Sequence, residues 1–302
     1  MRIITLVLTL SAGAALAAAC GGSSPSIFGA DPDAGTSPDT GPGSAVDDSG
    51  APVINPDAGP VQQVDAAPPP PVTVVYAHSP DKLYRLDPTT KKVTLIGPFD
   101  GCSSVIDLAI DANSSAFVTT FGGFYSLDLK TAKCTEIATG SYPNSLSFVP
   151  KGTLDPNQEA LVGYNGSTYV RIDVKTGKVS TVGTLSGGYA SSGDIVSVIN
   201  GGTFLTVTSQ TCGDCLIQVD PKSGGLVKAY GSVGHGAVYG LAFWAGTLYG
   251  FDNAGQLFEI TPNGNGIQTK DIPLAAGLQW WGAGSSTSAP VANADGGVIP
   301  IN

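Results

Sequence analysis

The chain has 302 residues, with 24 acidic against 14 basic side chains for a net charge of −10, and it carries 41 Gly and 22 Pro but a single Met. That balance excludes a nucleic-acid binder, because nothing forms the Lys/Arg stripe that neutralising a phosphate backbone requires. The Gly and Pro content suits short strands joined by turns, and no long stretch carries a 3.6-residue apolar period, so an all-β fold is expected.

Met1 and Arg2 precede an apolar run from Ile3 to Ala19 that is too short, and too rich in small residues at its end, for a comfortable membrane span. Residues 1–19 therefore read as a signal peptide. The run ends Leu16-Ala17-Ala18-Ala19-Cys20-Gly21, which resembles a bacterial lipoprotein lipobox with Leu one place earlier than the favoured position. The resemblance implies that Cys20 is the mature N-terminus, carries the lipid and anchors the chain to a membrane. Gly21 in the following position, in place of Asp, favours the outer membrane of a bacterial cell envelope. Ordinary secretion after an Ala-x-Ala site, with Cys20 left free, is the alternative.

Residues 20–71 continue almost entirely as Gly, Ser, Pro, Ala, Asp, Thr and Val, ending in Pro68-Pro69-Pro70-Pro71. Such a segment cannot bury a core and reads as a disordered tether. As a flexible coil it would have an r.m.s. span of roughly 40 Å. Seven aspartates between Asp31 and Asp65 have no Lys or Arg nearby, so the remaining body is only mildly acidic.

The body repeats one phrase: LYRLDP from Leu83, FYSLDL from Phe124, YVRIDV from Tyr169, LIQVDP from Leu216 and LFEITP from Leu257. Its final column holds Asp87, Asp128, Asp173, Asp220 and Thr261, at spacings of 41, 45, 47 and 41. That period predicts four-stranded blades of a β-propeller. A short turn and a further strand follow each phrase, as in Asp173-Val174-Lys175-Thr176-Gly177-Lys178 before VSTVG, which predicts a hairpin in which Asp accepts a backbone N–H two residues on. The competing reading of the Asp column, calcium ligation, is disfavoured because its members fall on separate blades. Leading strands VIDLAID, NSLSFVP, DIVSVI and VYGLAFW precede four of the repeats, and the first repeat lacks one. GLQWWGAGSS, Gly277 to Ser286, has the character of that missing strand and is expected to close the ring as a C-terminal inner strand, removing exposed sheet edges.

The repeats resemble those of bacterial β-propeller lipoproteins with an LYxhDPxTGxxTxIG blade signature, where h is apolar. The resemblance covers roughly Val72 to Ser286 and implies architecture rather than activity, since this fold hosts enzymes, adhesins and scaffolds alike. The expected organisation is a propeller over residues 72–286, most simply of five blades, and a flexible tail over residues 287–302. A sixth blade would need a strand pair hidden between Pro150 and Glu159.

Propeller ligands meet the mouth where inner strands begin and the loops between second and third strands turn. The inner-strand starts offer Asp107, Asn144, Asp194, Tyr239 and Gln279 with Trp280; the adjoining loops offer His78, Phe121, Asn165, Gln210 and Asp252. Carboxylates, amides and aromatics of this kind can hold a sugar, a peptide loop or a cation, although polar strand ends also simply bond to loops. His78 and His235, the only histidines, would have to converge on a third group to form an acid–base or metal site. Trp280 and Trp281, if on a strand, point to opposite faces, one of them packing between blades. Cys212 and Cys215 form a CxxC in a loop with no second ligand pair nearby, so a local disulfide is expected in an oxidising compartment, with Cys102 and Cys134 as the other pair. Cys102 and Cys134 would lie at opposite ends of a regular blade unless an irregular loop at Gly101 brings them together.

No cofactor or metal is expected. Two functions remain open: a monomeric, non-catalytic binding or scaffold module for a protein, glycan or envelope component, and an extracellular hydrolase or lyase acting on a sugar or lactone with His78, Asp107, Asp194 or His235.

Overall fold

The computed structural model describes residues 74–264 and 266–292; the signal segment, Cys20, the tether and residues 293–302 lie outside the described residues. Blade one contains β1 (Val75–His78), β2 (Lys82–Leu86) and β3 (Val93–Pro98). Blade two is β4 (Val105–Ile110), β5 (Ala116–Thr120), β6 (Gly123–Leu127) and β7 (Cys134–Thr139). Blade three is β8 (Leu146–Val149), β9 (Ala160–Asn165), β10 (Thr168–Ile172) and β11 (Val179–Thr184). Blade four is β12 (Ala190–Val198), β13 (Gly202–Ser209), β14 (Cys212–Val219) and β15 (Leu226–Ser232). Blade five is β16 (Val238–Trp244), β17 (Thr247–Asp252), β18 (Leu257–Asn263) and β19 (Gly266–Ile272). The last strand, β20 (Gly282–Gly284), is the innermost strand of blade one, so the five antiparallel sheets of four strands make a five-bladed β-propeller.

Burial falls from the centre outward, and the sequence follows it. Inner strands are packed on both faces, so VIDLAI of β4 and LSFV of β8 are buried throughout and show no alternation. The outermost strands β7 and β11 carry mostly exposed or half-exposed residues, with Thr and Ser facing solvent. Aromatic residues fill the space between blades: the Tyr164 and Tyr169 rings of blade three lie 4.9 Å apart, and their hydroxyls donate to Gly224 O (2.7 Å) and Pro221 O (3.0 Å) in the outer hairpin of blade four.

The repeated Asp closes the outer hairpin, as its place in the sequence implies. Asp87 Oδ1 accepts the N–H groups of Thr89 and Thr90 at 2.9 and 3.0 Å, Asp128 those of Lys130 and Thr131 at 2.7 and 3.1 Å, and Asp173 those of Lys175 and Thr176 at 3.0 and 2.9 Å. These backbone donors favour the ionised form and hold each carboxyl below its ordinary range. For Asp173 the Thr176 hydroxyl leads the same effect. Four residues after each Asp the chain takes a positive φ, at Gly177 and Gly224 (69° each) but also at Lys91 and Ala132 (60° each).

Ring closure runs as the C-terminal segment predicts, with Tyr76 opposite Gly284, Ala77 opposite Ala283 and His78 opposite Gly282. The strand is limited to Gly-Ala-Gly, and Trp280 and Trp281 precede it rather than lie on it. Beyond it the chain does not become a flexible tail at once. Thr287 and Ala289 are buried, Ser286 Oγ donates to Asp111 O at 2.8 Å, Ile199 N donates to Thr287 O at 2.8 Å, and Thr287 Oγ1 donates to Glu159. This segment fastens the face of the ring where the inner strands end.

The stretch from Pro150 to Glu159 contains turns and no strand pair, so among the described residues there are five blades and not six. Both disulfides are formed. Cys102 and Cys134 have Cα atoms 5.7 Å apart because Asp100 pairs in parallel with Lys133, Cys134 N donates to Asp100 O at 2.7 Å, and Gly101 takes φ 86° with no room for a Cβ beside Cys134 O. Cys212 and Cys215, 6.0 Å apart, lie on β14 rather than in a loop.

Candidate functional site

Each inner strand has one edge paired within its blade and one edge facing the central channel, where backbone N–H groups would go unsatisfied. Two aspartates solve this. Asp107 Oδ1 accepts its own blade's Leu108 N–H at 2.8 Å, and its Oδ2 accepts Leu146 N–H of blade three at 2.6 Å. Asp194 Oδ1 accepts Ile195 N–H at 2.6 Å, and its Oδ2 accepts Leu241 N–H of blade five at 2.7 Å. One layer further in, Ser147 Oγ accepts Ser197 N–H of blade four at 3.1 Å and Ser285 Oγ accepts Phe243 N–H of blade five at 2.9 Å. Side chains thus stitch one blade's inner strand to the next.

The two carboxyls are fully buried, and each acts on the other's titration. Burial raises both well above the ordinary carboxylate value, and the neighbouring Asp194 adds to the rise at Asp107. His78 is equally buried; its Nδ1 donates to Ser79 O at 2.9 Å, and its Nε2 has no hydrogen-bond partner. Burial lowers its pKa to about 4, so the ring is neutral. A Cβ on Gly282 would collide with both His78 Nε2 and Asp107 Oδ1, which places these two groups around the same glycine and explains why the closing strand begins with one.

Above this layer the channel opens into a cavity of about 460 Å³, lined by Ile106, Asn144, Ser192, Tyr239 and Trp281, one residue from the start of each blade's inner strand, together with Phe121 and Asn253 from second-to-third-strand loops. None of these seven side chains is charged. Phe121 is 71% exposed and Tyr239 36%, and the Phe121 and Trp281 rings meet edge-on at 6.4 Å and 81°. A larger groove of about 650 Å³, between blades one and two, lies on the opposite face beside Val74 and Ser286. It draws on two blades, whereas the mouth draws on five.

Among the residues named from the sequence, Asn144, Tyr239 and Phe121 line this mouth. Asp107, Asp194 and His78 lie beneath it with no exposure. Asp252 is buried, accepting Gln256 N–H at 2.9 Å, and its neighbour Asn253 lines the mouth instead. Trp280 is a core residue wedged between Tyr84 (5.3 Å) and Phe251 (5.6 Å), so Trp281 is the tryptophan of the mouth. Gln279, Asn165 and Gln210 are exposed but do not line the cavity. His235 stacks on Phe258 at 3.6 Å, its Nδ1 faces Gln256 Oε1 at 3.0 Å and Asp252 Oδ2 at 3.3 Å, and its Nε2 faces Asp271 at 3.2 Å. It shares no partner with His78. Ile106, Ser192, Asn253 and Trp281 are the lining residues that strand-start reasoning passed over, by one position in the case of Ile106, Asn253 and Trp281.

No protein-family model matches the chain, and no curated protein matches it. Among solved structures it is similar to a chain in the crystal structure of a nidogen/laminin complex, at 11% identity and a TM-score of 0.46 over 72% of this chain and 99% of that one. It is also similar to a protein of unknown function from Bacteroides caccae, at 13% identity and a TM-score of 0.40 over 69% of this chain and 77% of the other.

Proposed function

We propose that this chain is an exported bacterial lipoprotein of the LYxhDPxTGxxTxIG-repeat kind, whose propeller binds an envelope component at its mouth without transforming it. The observation that carries the binding reading is the mouth itself: an open, uncharged cavity to which each of the five blades contributes a residue, with aromatic rings beside amides and a hydroxyl. Val74, where the described chain enters β1, and Ser286, where it leaves β20, both border the groove on the opposite face. The apolar run before Cys20 supports a lipid anchor in the outer membrane, and the Pro- and Asp-rich segment supports a spacer. The expected partner is a protein or glycan of the envelope, bound by a monomer.

A pull-down from native envelope with the mature protein, run beside Trp281→Ala, tests this. A component retained by the parent and lost from the variant supports the reading; identical retention by both defeats it.

One feature favours the hydrolase or lyase reading, namely His78 beside Asp107 with an unpartnered Nε2. It ranks lower because a general base must reach the substrate, whereas both groups have zero exposure and the carboxylates are engaged by four backbone N–H groups.

A further inference from the structure

We infer that the mouth recognises the terminal residue of an uncharged saccharide; the inference rests on the binding reading above and deepens it. The lining narrows the chemistry by elimination. An anionic ligand would find no Lys, Arg or His in the lining and would sit above the Asp107–Asp194 pair. A cationic ligand would find no carboxylate in the lining, and the buried pair beneath is already occupied by the N–H groups of Leu108, Leu146, Ile195 and Leu241. A purely apolar ligand would strip water from Asn144, Ser192 and Asn253 without replacing their hydrogen bonds, at about 1–3 kcal/mol for each group left unpaired.

A neutral sugar meets all of these conditions. Its C–H face packs on an aromatic ring, and its hydroxyls both donate and accept, matching the carboxamides of Asn144 and Asn253 and the hydroxyl of Ser192. The near-perpendicular Phe121 and Trp281 rings offer one flat wall and one edge, enough to hold a ring on two sides. The floor is closed, since His78, Asp107 and Gly282 beneath it are buried. A blind depression at the ring centre accepts the end of a chain more readily than its middle.

The experiment titrates the full-length mature protein with methyl β-glucoside, methyl β-N-acetylglucosaminide and methyl α-mannoside, against glucuronate and choline as charged comparators, reading tryptophan fluorescence and heat. Saturable binding of at least one neutral glycoside is expected, weakened about tenfold or more by Trp281→Ala, as befits removal of a central aromatic contact. Asn144→Ala, a surface change that spares the core, is expected to weaken it as well, and near-ultraviolet circular dichroism checks that both variants fold. Failure of all three neutral glycosides to bind, or binding indifferent to Trp281→Ala and Asn144→Ala, overturns the inference. If choline or glucuronate binds in their place, or an envelope protein is retained through Trp281, the assignment to an uncharged saccharide falls while the binding function of the mouth stands.

Discussion

The carboxyl groups of Asp107 and Asp194 are buried beneath the mouth, and between them they accept backbone N–H groups from blades two, three, four and five. A residue type usually scanned for chemistry acts here as a fastener between strand edges. Replacing Asp107 by Ala leaves Leu108 and Leu146 with buried, unsatisfied donors, so a loss of about 3 kcal/mol is expected in urea unfolding. An unchanged midpoint would show that water replaces the carboxylate.

The same pair sets the alkaline side of the stability profile. Both groups titrate well above their ordinary value in the folded protein, so the folded state holds a proton that the unfolded chain has given up. Their contribution is complete below the unfolded carboxylate range and is lost as pH rises through the raised folded value. Asp107→Asn keeps a neutral partner against Asp194 and is expected to flatten that decline. Urea midpoints from pH 5 to 9 measure it, and parallel profiles for the parent and the variant would refute the assignment.

His78 acts in the opposite direction. Its pKa falls from 6.5 to about 4 on folding, so between those values the unfolded chain takes up a proton that the folded one refuses. Stability is expected to fall as pH drops from 6.5 toward 4, by up to about 3 kcal/mol. His78→Asn should remove this acid limb. The slope of midpoint against pH over that interval decides it, and an equal slope in the variant would transfer the effect to other groups.

The closing strand is expected to dominate cooperativity. Ending the chain after Ala276 removes Trp280 from between Tyr84 and Phe251, strips β1 of its inner partner and takes Ser285 from Phe243 N. The shortened protein should melt well below the parent and associate through the opened edges of β1 and its neighbours. A monomer with the parent's melting temperature would contradict the role of β20.

Of the two disulfides, Cys102–Cys134 is expected to matter more. It spans 32 residues of sequence separation against 3 for Cys212–Cys215. In the chain-entropy account the longer loop is worth about 3 to 4 kcal/mol and the shorter one less. Cys102→Ser with Cys134→Ser should therefore lower the melting temperature further than Cys212→Ser with Cys215→Ser. The reverse order would place the stabilising effect at the start of β14.

Cys20 gives a test that needs no ligand. Fatty-acid labelling in vivo is expected at Cys20, and Cys20→Ala should release the protein from the membrane fraction. Retention of that variant would remove the anchor from the proposal.

The sequence by itself determines the blade repeat and the hairpin chemistry, because each is local and repeated, and it points to the closing segment, while the choice of five blades over six needs the absence of a strand pair between Pro150 and Glu159. An Asp at 41–47-residue spacing bonds its own turn wherever the blades lie, and Gly277 to Ser286 is the one segment available to complete blade one. The mouth is different, since it depends on which of two adjacent side chains faces out. Near the start of three inner strands the pairing slips, between Val105 and Asp107, Ser191 and Ile195, and Val238 and Gly240. In β4 and β16 the slip is of one residue, which exchanges the two faces of a strand, and in β12 it is of two, which interrupts the alternation between Ser191 and Ile195. Alternation read from the sequence therefore loses its phase at the very positions that form the mouth, and only the assembled ring assigns Ile106 and Ser192 to the cavity and Asp107 and Asp194 to the floor beneath it.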